Sequence, residues 1–160
     1  MSTPGFLNKL ASASEAVALI ASLPKPVVFT NGVFDVLHRG HATYLAESRA
    51  LGASLIVALN SDASVKRLDK GDDRPVNALA DRMALVAALE SVSLVTWFEE
   101  DTPLSLIQTC RPDVLVKGGD WPAEKIVGAA EVLGWGGIVK SIAFQFERST
   151  TSLLTRIRNS

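Results

Sequence analysis

The 160-residue sequence contains one cysteine and only two histidines. The single cysteine, Cys110, closes no disulfide within the chain, and no zinc-type cluster of Cys and His is present. Its setting, LIQTCRP, ends an apolar helix-like run and predicts a small core residue. Excess positive charge is missing too: 16 Lys and Arg stand against 17 Asp and Glu, for a net charge of −1. That excludes a sequence-wide field able to hold a nucleic-acid backbone, although a local basic pocket for a small phosphorylated ligand remains compatible. Long hydrophobic runs are absent at the N-terminus, where Lys9, Glu15 and several serines interrupt the apolar residues. Neither a signal peptide nor a membrane span is expected, so the reading is a soluble, cytoplasmic protein. Two familiar phosphate-binding signatures are also lacking. There is no Gly-Lys-Ser/Thr loop and no GxGxxG after the first strand.

What is present suits one folded domain. Residues 1–24 read as a leader carrying an amphipathic helix, Leu7 to Leu23, stopped by Pro24. Residues 25–160 read as a single domain. Its strands are expected at Val27–Asn31, Leu55–Leu59, Leu94–Phe98, Val114–Lys117 and Gly137–Ile142. Helices are expected between them at His41–Leu51, from a Ser61 or Asp62 cap through Leu68, over Leu79–Leu89, after Asp101-Thr102-Pro103, and over Glu124–Leu133. A final helix capped by Ser149 or Thr150 runs through Ile157, and 69–77 reads as a loop. Apolar strands alternating with helices predict an α/β, Rossmann-like, doubly wound sheet of about five parallel strands with helices on both faces. Such sheets bind ligands at the strands' carboxyl ends, where strand order reverses.

The first such end carries the two histidines, in Gly32-Val33-Phe34-Asp35-Val36-Leu37-His38-Arg39-Gly40-His41. A strand runs into a turn, and the turn into a helix N-terminus whose free N–H groups and dipole favour an anion. Gly40 lets backbone approach a phosphate, and His38 and His41 add side-chain donors. Two histidines scattered at random fall three apart roughly 1% of the time, and a glycine between them lowers this to about 0.1%. Chance spacing is therefore a poor account of the pair. A metal site is the weaker alternative, since no third ligand stands at a recognisable spacing and only Asp35 is close.

GVFDVLHRGH resembles the HxGH signature of the cytidylyltransferase-like nucleotidyltransferase superfamily. NSDASVKRL, RPVNALADRM, FEEDTPLSLI, RPDVLVKGGDW and STTSLLTRIR extend the resemblance to the bacterial heptose adenylyltransferase domains, over about residues 25 to 158. The resemblance implies transfer of AMP from ATP to D-glycero-β-D-manno-heptose 1-phosphate, giving ADP-heptose and pyrophosphate for lipopolysaccharide or a related glycan. Mg²⁺ is implied by the triphosphate, with Asp35 as an indirect helper. It also implies a separate heptose kinase, because the related bifunctional enzymes carry a kinase domain that 160 residues leave no room for. A homodimer is expected, with no nucleic-acid or membrane partner.

The reaction needs no side-chain nucleophile, so donors and positioning should dominate. His38 and His41 are the expected transition-state donors, and Lys66 stands where the family carries a phosphate-reaching lysine. Thr30, Asn31, Gly32 and Phe34 are expected to wall the phosphate side of the turn, with Gly40 beside them. Lys117, Gly118 and Asp120 would hold base or ribose, and Ser149, Thr150 and Thr151 would hold the β- and γ-phosphates unless they are ordinary caps. Arg74 and Arg82 read as acceptor-phosphate clamps or as plain surface arginines. Arg148 either adds a phosphate contact or is neutral, and Trp121 and Trp135 read as packing residues rather than base stackers, although Trp121 is close to the expected pocket.

Three other functions compete. A cytidylyltransferase acting on glycerol 3-phosphate would use the same turn. An aminoacyl-tRNA synthetase fragment is disfavoured by the short, non-basic chain and the missing KMSKS-like loop. A non-catalytic nucleotide-binding module is disfavoured by the presence of both histidines and Lys66.

Overall fold

A computed structural model describes residues 2–68, 71, 73–146 and 149–160, so Arg148 lies outside the described residues. Five strands form one parallel sheet: β1 (Val27–Gly32), β2 (Ser54–Asn60), β3 (Leu94–Phe98), β4 (Val114–Gly118) and β5 (Ile138–Ile142), in the order β3-β2-β1-β4-β5. Phe29 pairs with Ile56 on one side and Leu115 on the other, which sets β1 at the centre. The helices are α1 (Ala13–Ile20), α2 (Arg39–Arg49), α3 (Asp62–Arg67), α4 (Leu79–Ala87), α5 (Leu104–Cys110), α6 (Ala129–Gly134) and α7 (Thr150–Arg158).

The strand period of two sorts the core into two layers. Phe29, Ile56, Ala58 and Leu115 face α1, α5 and α6, whereas Val28, Leu55, Val57, Val114 and Val116 face α2 and α4. Both faces are covered, which is why the central strands read as continuous apolar runs rather than as alternation. Cys110 is buried in the first layer, and burial pushes its thiol up to about 11.

The leader departs from the expected single helix. A short 3₁₀ turn (Gly5–Lys9) is followed by an extended stretch, where the Ala11 N–H donates to the Val95 carbonyl at 3.0 Å. α1 then starts afresh from Ser12, whose capping box with Glu15 supplies a new helix start inside the expected helix. Ala11, Ala16 and Ile20 belong to the core, so the leader packs as part of the domain rather than ahead of it. The expected helix at Glu124–Leu133 also splits, into a 3₁₀ turn (Ala123–Lys125) and α6. Gly128 between them has φ +87°, a left-handed conformation that breaks the helical path.

β1 and β4 mark the point where strand order reverses, and their carboxyl ends, Gly32 and Gly118, open onto the same edge of the sheet. No helix among the described residues is long and apolar enough to cross a membrane.

Candidate active site

The turn after β1 delivers His38 as the N-cap of α2. Its Nδ1 accepts a hydrogen bond from the Gly40 N–H at 3.1 Å, so in the neutral ring the proton sits on Nε2. This contact gives Gly40 a definite role: a Cβ there would come within 2.9 Å of His38 Cε1. His41, one helical turn on, stacks against His38 with ring centroids 3.9 Å apart. Phe34, at φ 49°, meets His41 edge-on at 5.3 Å. Burial, and then the neighbouring His38, lower the His41 pKa to about 4, so the ring is neutral near pH 7. Its Nδ1 is buried without a hydrogen-bond partner among the described residues.

The unfolded chain would titrate His41 near 6.5, and the folded chain near 4. Between those values the unfolded state binds the extra proton, so folded stability falls as pH drops from 6.5 toward 4. Thermal melts across that window should show a decline that His41→Gln makes shallower. An equally steep decline in the variant would remove His41 from the account.

Asp35 is buried. Its carboxylate accepts from the Arg74 Nε at 2.6 Å and from the Val76 and Asn77 N–H groups, each at 2.9 Å. Burial alone would raise its pKa, but these donors outweigh it and hold the carboxyl below the usual range. Asp35 thus latches the 73–77 loop to the β1 turn while lining the cavity that holds the histidines. Arg74 is not a surface arginine, being 7% exposed, and it presents its guanidinium to the same cavity as the histidines.

Arg82 also departs from expectation. It is completely buried and donates to the carbonyls of Asn77, Val33 and Asn60 at 3.0, 2.8 and 2.9 Å, and to Asp62 at 2.7 Å. Every guanidinium nitrogen is engaged by the protein itself, so Arg82 braces the ends of β1 and β2. Thr30 is likewise turned inward, with its hydroxyl 2.5 Å from Tyr44 Oη. Burial pushes the Tyr44 phenol up to about 12.

Two cavities open at this edge of the sheet and share Val33. One, of about 450 Å³, is lined by Phe34, Asp35, His38, His41, Arg74, Phe144 and Ser149–Thr151. Here the N-terminus of α7 faces the histidine turn. Ser149 is an ordinary cap, accepting from the Ser152 N–H at 3.1 Å, and it lines the cavity as well. The other, of about 270 Å³, is lined by Asn31, Gly32, Lys117, Trp121 and Lys125 among others. Gly118 offers no open backbone, because Phe144 lies where a Cβ would approach to 2.6 Å. Asp120 is exposed and lines neither cavity, and Lys66 is exposed on α3 outside both. Trp135 packs as expected, donating to the Pro112 carbonyl at 3.1 Å, but Trp121 is 52% exposed and lines the smaller cavity.

Tyr44, Asn77 and Phe144 were not legible as site residues. Tyr44 is three residues beyond His41 on the same helix face, and that spacing is the only signal the sequence offered. Among the described residues no group of three or more His, Cys, Asp or Glu is arranged to hold a metal ion.

Comparison with known proteins agrees with this geometry. Residues 29–153 match the cytidylyltransferase-like family model. The chain is 55% identical, over 99% of both chains, to a D-beta-D-heptose 1-phosphate adenylyltransferase of Bordetella bronchiseptica. It is 53% identical over 91% of its length to the Bifunctional protein HldE of Yersinia enterocolitica, of which it covers 30%. A lipopolysaccharide core biosynthesis protein of Thermoplasma volcanium superposes with a TM-score of 0.61 at 28% identity, covering 76% of this chain and 98% of the other. A pantothenate synthetase of Thermus thermophilus shares the fold at 16% identity, with a TM-score of 0.58 over 84% of this chain and 61% of the other.

Proposed function

The chain belongs to the cytidylyltransferase-like family, and from that premise we propose that it transfers AMP from ATP to D-glycero-β-D-manno-heptose 1-phosphate, releasing pyrophosphate and ADP-heptose. The observation that carries the reading is the stacked His38–His41 pair facing the α7 N-terminus across one cavity. An acceptor phosphate oxygen attacks the α-phosphorus in line, the bond to the bridging oxygen breaks, and pyrophosphate leaves with the electron pair. Negative charge grows on the equatorial and leaving oxygens, where pre-placed donors are worth most. His38 and His41 serve as those donors. The α7 N-terminus, with Ser149, Thr150 and Thr151, holds the β- and γ-phosphates through its N–H groups and hydroxyls. Arg74, oriented through Nε by Asp35, presents its remaining nitrogens to phosphate oxygens. Lys66, exposed on α3 outside both cavities, would have to swing toward the triphosphate to reach it.

Mg²⁺ would be carried mainly by the triphosphate, since the Asp35 carboxylate is already occupied by three donors. It would neutralise charge on the departing pyrophosphate. A cytoplasmic homodimer, fed with heptose 1-phosphate by a separate kinase, completes the proposal.

A panel of sugar 1-phosphates and alditol phosphates, crossed with ATP and CTP, tests this reading. Mg²⁺-dependent pyrophosphate release is expected with ATP and the heptose 1-phosphate. Preference for CTP with glycerol 3-phosphate would move the chain to that activity, and no release with any pair would sink the enzymatic reading.

A further inference from the structure

α7 presents its first turn to the histidine cavity, yet none of the described residues Thr150–Arg158 is buried. Its place is therefore set by what flanks it. We propose that Arg39, the residue after His38 in the histidine turn, is a positioning residue: its guanidinium clasps Phe146 and so fixes the α7 N-terminus against the histidine pair. The inference rests on the adenylyltransferase reading above, in which that N-terminus holds the β- and γ-phosphates.

Arg39 stands where a local rule is broken. It occupies the first turn of α2, and a cation there opposes the helix dipole. Such departures concentrate where function requires them. Arg39 is exposed and lines neither cavity, so nearness to a bound phosphate does not account for it. What it meets is an aromatic ring. Its Cζ lies 3.9 Å from the centroid of Phe146, within cation–π distance.

The chain leaving β5 crosses the first turn of α2 at this point. A Cβ on Gly40 would stand 3.9 Å from the Phe146 carbonyl oxygen, so backbone and side chain both reach the turn. Two further contacts hold the crossing to α2: Phe144 packs on Tyr44 with centroids 5.5 Å apart, and the Gln145 amide donates to Glu47. Of the three, Phe146 is nearest to α7 along the chain. Ser149 follows three residues later, and covalent reach keeps it within about 11 Å. The Thr150 hydroxyl then donates to the Val36 carbonyl at 3.4 Å, which brings the helix start onto the histidine turn. At the far end of α7, Arg158 pairs with Asp73, but neither side chain is buried and such pairs hold weakly. Arg39 thus ties the phosphate-binding helix to the same first turn that carries His38 and His41. Loosening the tie should weaken the grip on the β- and γ-phosphates alone.

Arg39→Met keeps the aliphatic stem and removes the charge. Equilibrium titration should show ATP bound about two- to fivefold more weakly, the worth of one exposed cation–π contact. AMP, which lacks the β- and γ-phosphates, should bind as it does to the wild type. Phe146→Leu should give the same loss for ATP, and Phe146→Tyr, which keeps a ring, should give none. The double variant Arg39→Met/Phe146→Leu should lose no more than either single change. In kinetics the KM for ATP should rise by the same factor, with the KM for heptose 1-phosphate unchanged. The melting temperature of Arg39→Met should stay within about 4 °C of the wild type. Unchanged ATP affinity in Arg39→Met would overturn the inference. So would an equal loss for AMP, which a merely structural residue would cause. Additive losses in the double variant would make Arg39 a direct phosphate contact and equally overturn the clasp. A wild type that binds ATP in this Arg39-dependent way yet releases no pyrophosphate with any acceptor would remove the adenylyltransferase reading and leave the clasp standing. One that binds no ATP would end both.

Discussion

Replacing His41 with alanine is expected to lower kcat by about 10²–10³-fold, the usual cost of one pre-placed donor to a developing oxyanion. The expectation follows from its position. The ring is fixed by stacking on His38 and by the edge of Phe34, so its donor needs no reorganisation when charge develops. It is neutral near pH 7, so it serves by donating a hydrogen bond, without the desolvation cost of a buried cation. The melting temperature should fall by only about 4 °C or less, because a half-buried ring with an unpartnered nitrogen contributes little to folding. His38→Asn offers a parallel test. Asparagine is a good N-cap, so it keeps the start of α2 while removing the imidazole. Both variants should lose turnover while staying folded. A drop of 10 °C or more on the His41 change, with residual activity tracking the folded fraction, would make the histidine structural (roughly 3 kcal/mol for a chain of this size).

The largest stability effect should come from Arg82→Met. The arginine is completely buried and closes hydrogen bonds to three carbonyls and to Asp62. Removing it strands the carbonyls of Val33, Asn60 and Asn77 in the interior, where each unpaired acceptor costs about 1–3 kcal/mol. Not all of that is realised, since the ends of β1 and β2 can shift. About 3–5 kcal/mol is expected, as for other broken buried charge networks, with melting lowered by about 10 °C or more. Arg82→Lys should recover little, because an ammonium cannot reproduce the planar fork that spans three carbonyl groups. Scanning calorimetry and acceptor kinetics together separate the two roles the residue could have. A raised acceptor KM at unchanged melting temperature would restore Arg82 to the substrate and contradict the bracing role.

Arg82 and Arg74 show where the sequence was silent. Arg74 stands before Pro75 in a polar loop and Arg82 in the first turns of a helix, and nothing local distinguishes a guanidinium that meets solvent from one that meets carbonyls. Only the crossing of 73–77 over the β1 turn brings Asp35 to Arg74, across 39 residues of chain. Trp121 is close to the expected pocket in the sequence, but its exposure was not legible. An aromatic after a strand reads as packing until the neighbouring loops fail to cover it. The split leader is a different case. Ser12 and Glu15 form a capping box that is readable in the sequence, but the longer apolar periodicity across Leu7 to Leu23 outweighed it in the reading.

The strands were legible because burial on both faces demands unbroken apolar runs, and those runs stand between helical segments at Val27, Leu55, Leu94, Val114 and Ile138. The histidine turn was legible because its spacing is local: a cap, a glycine under the cap, and a second ring one turn on. Those features follow from covalent neighbours and short-range geometry, so the sequence by itself determined the class of fold and the local form of the histidine turn. The tertiary structure alone decided which polar residues line the cavities and which are buried against protein partners. It buried Arg82 and Thr30, tied Asp35 to Arg74 in the wall of the histidine cavity, and left Trp121 at the wall of the other. The physical reason is that a buried charge or hydroxyl must find its partner, and those partners come from distant strands and loops whose meeting no local pattern encodes.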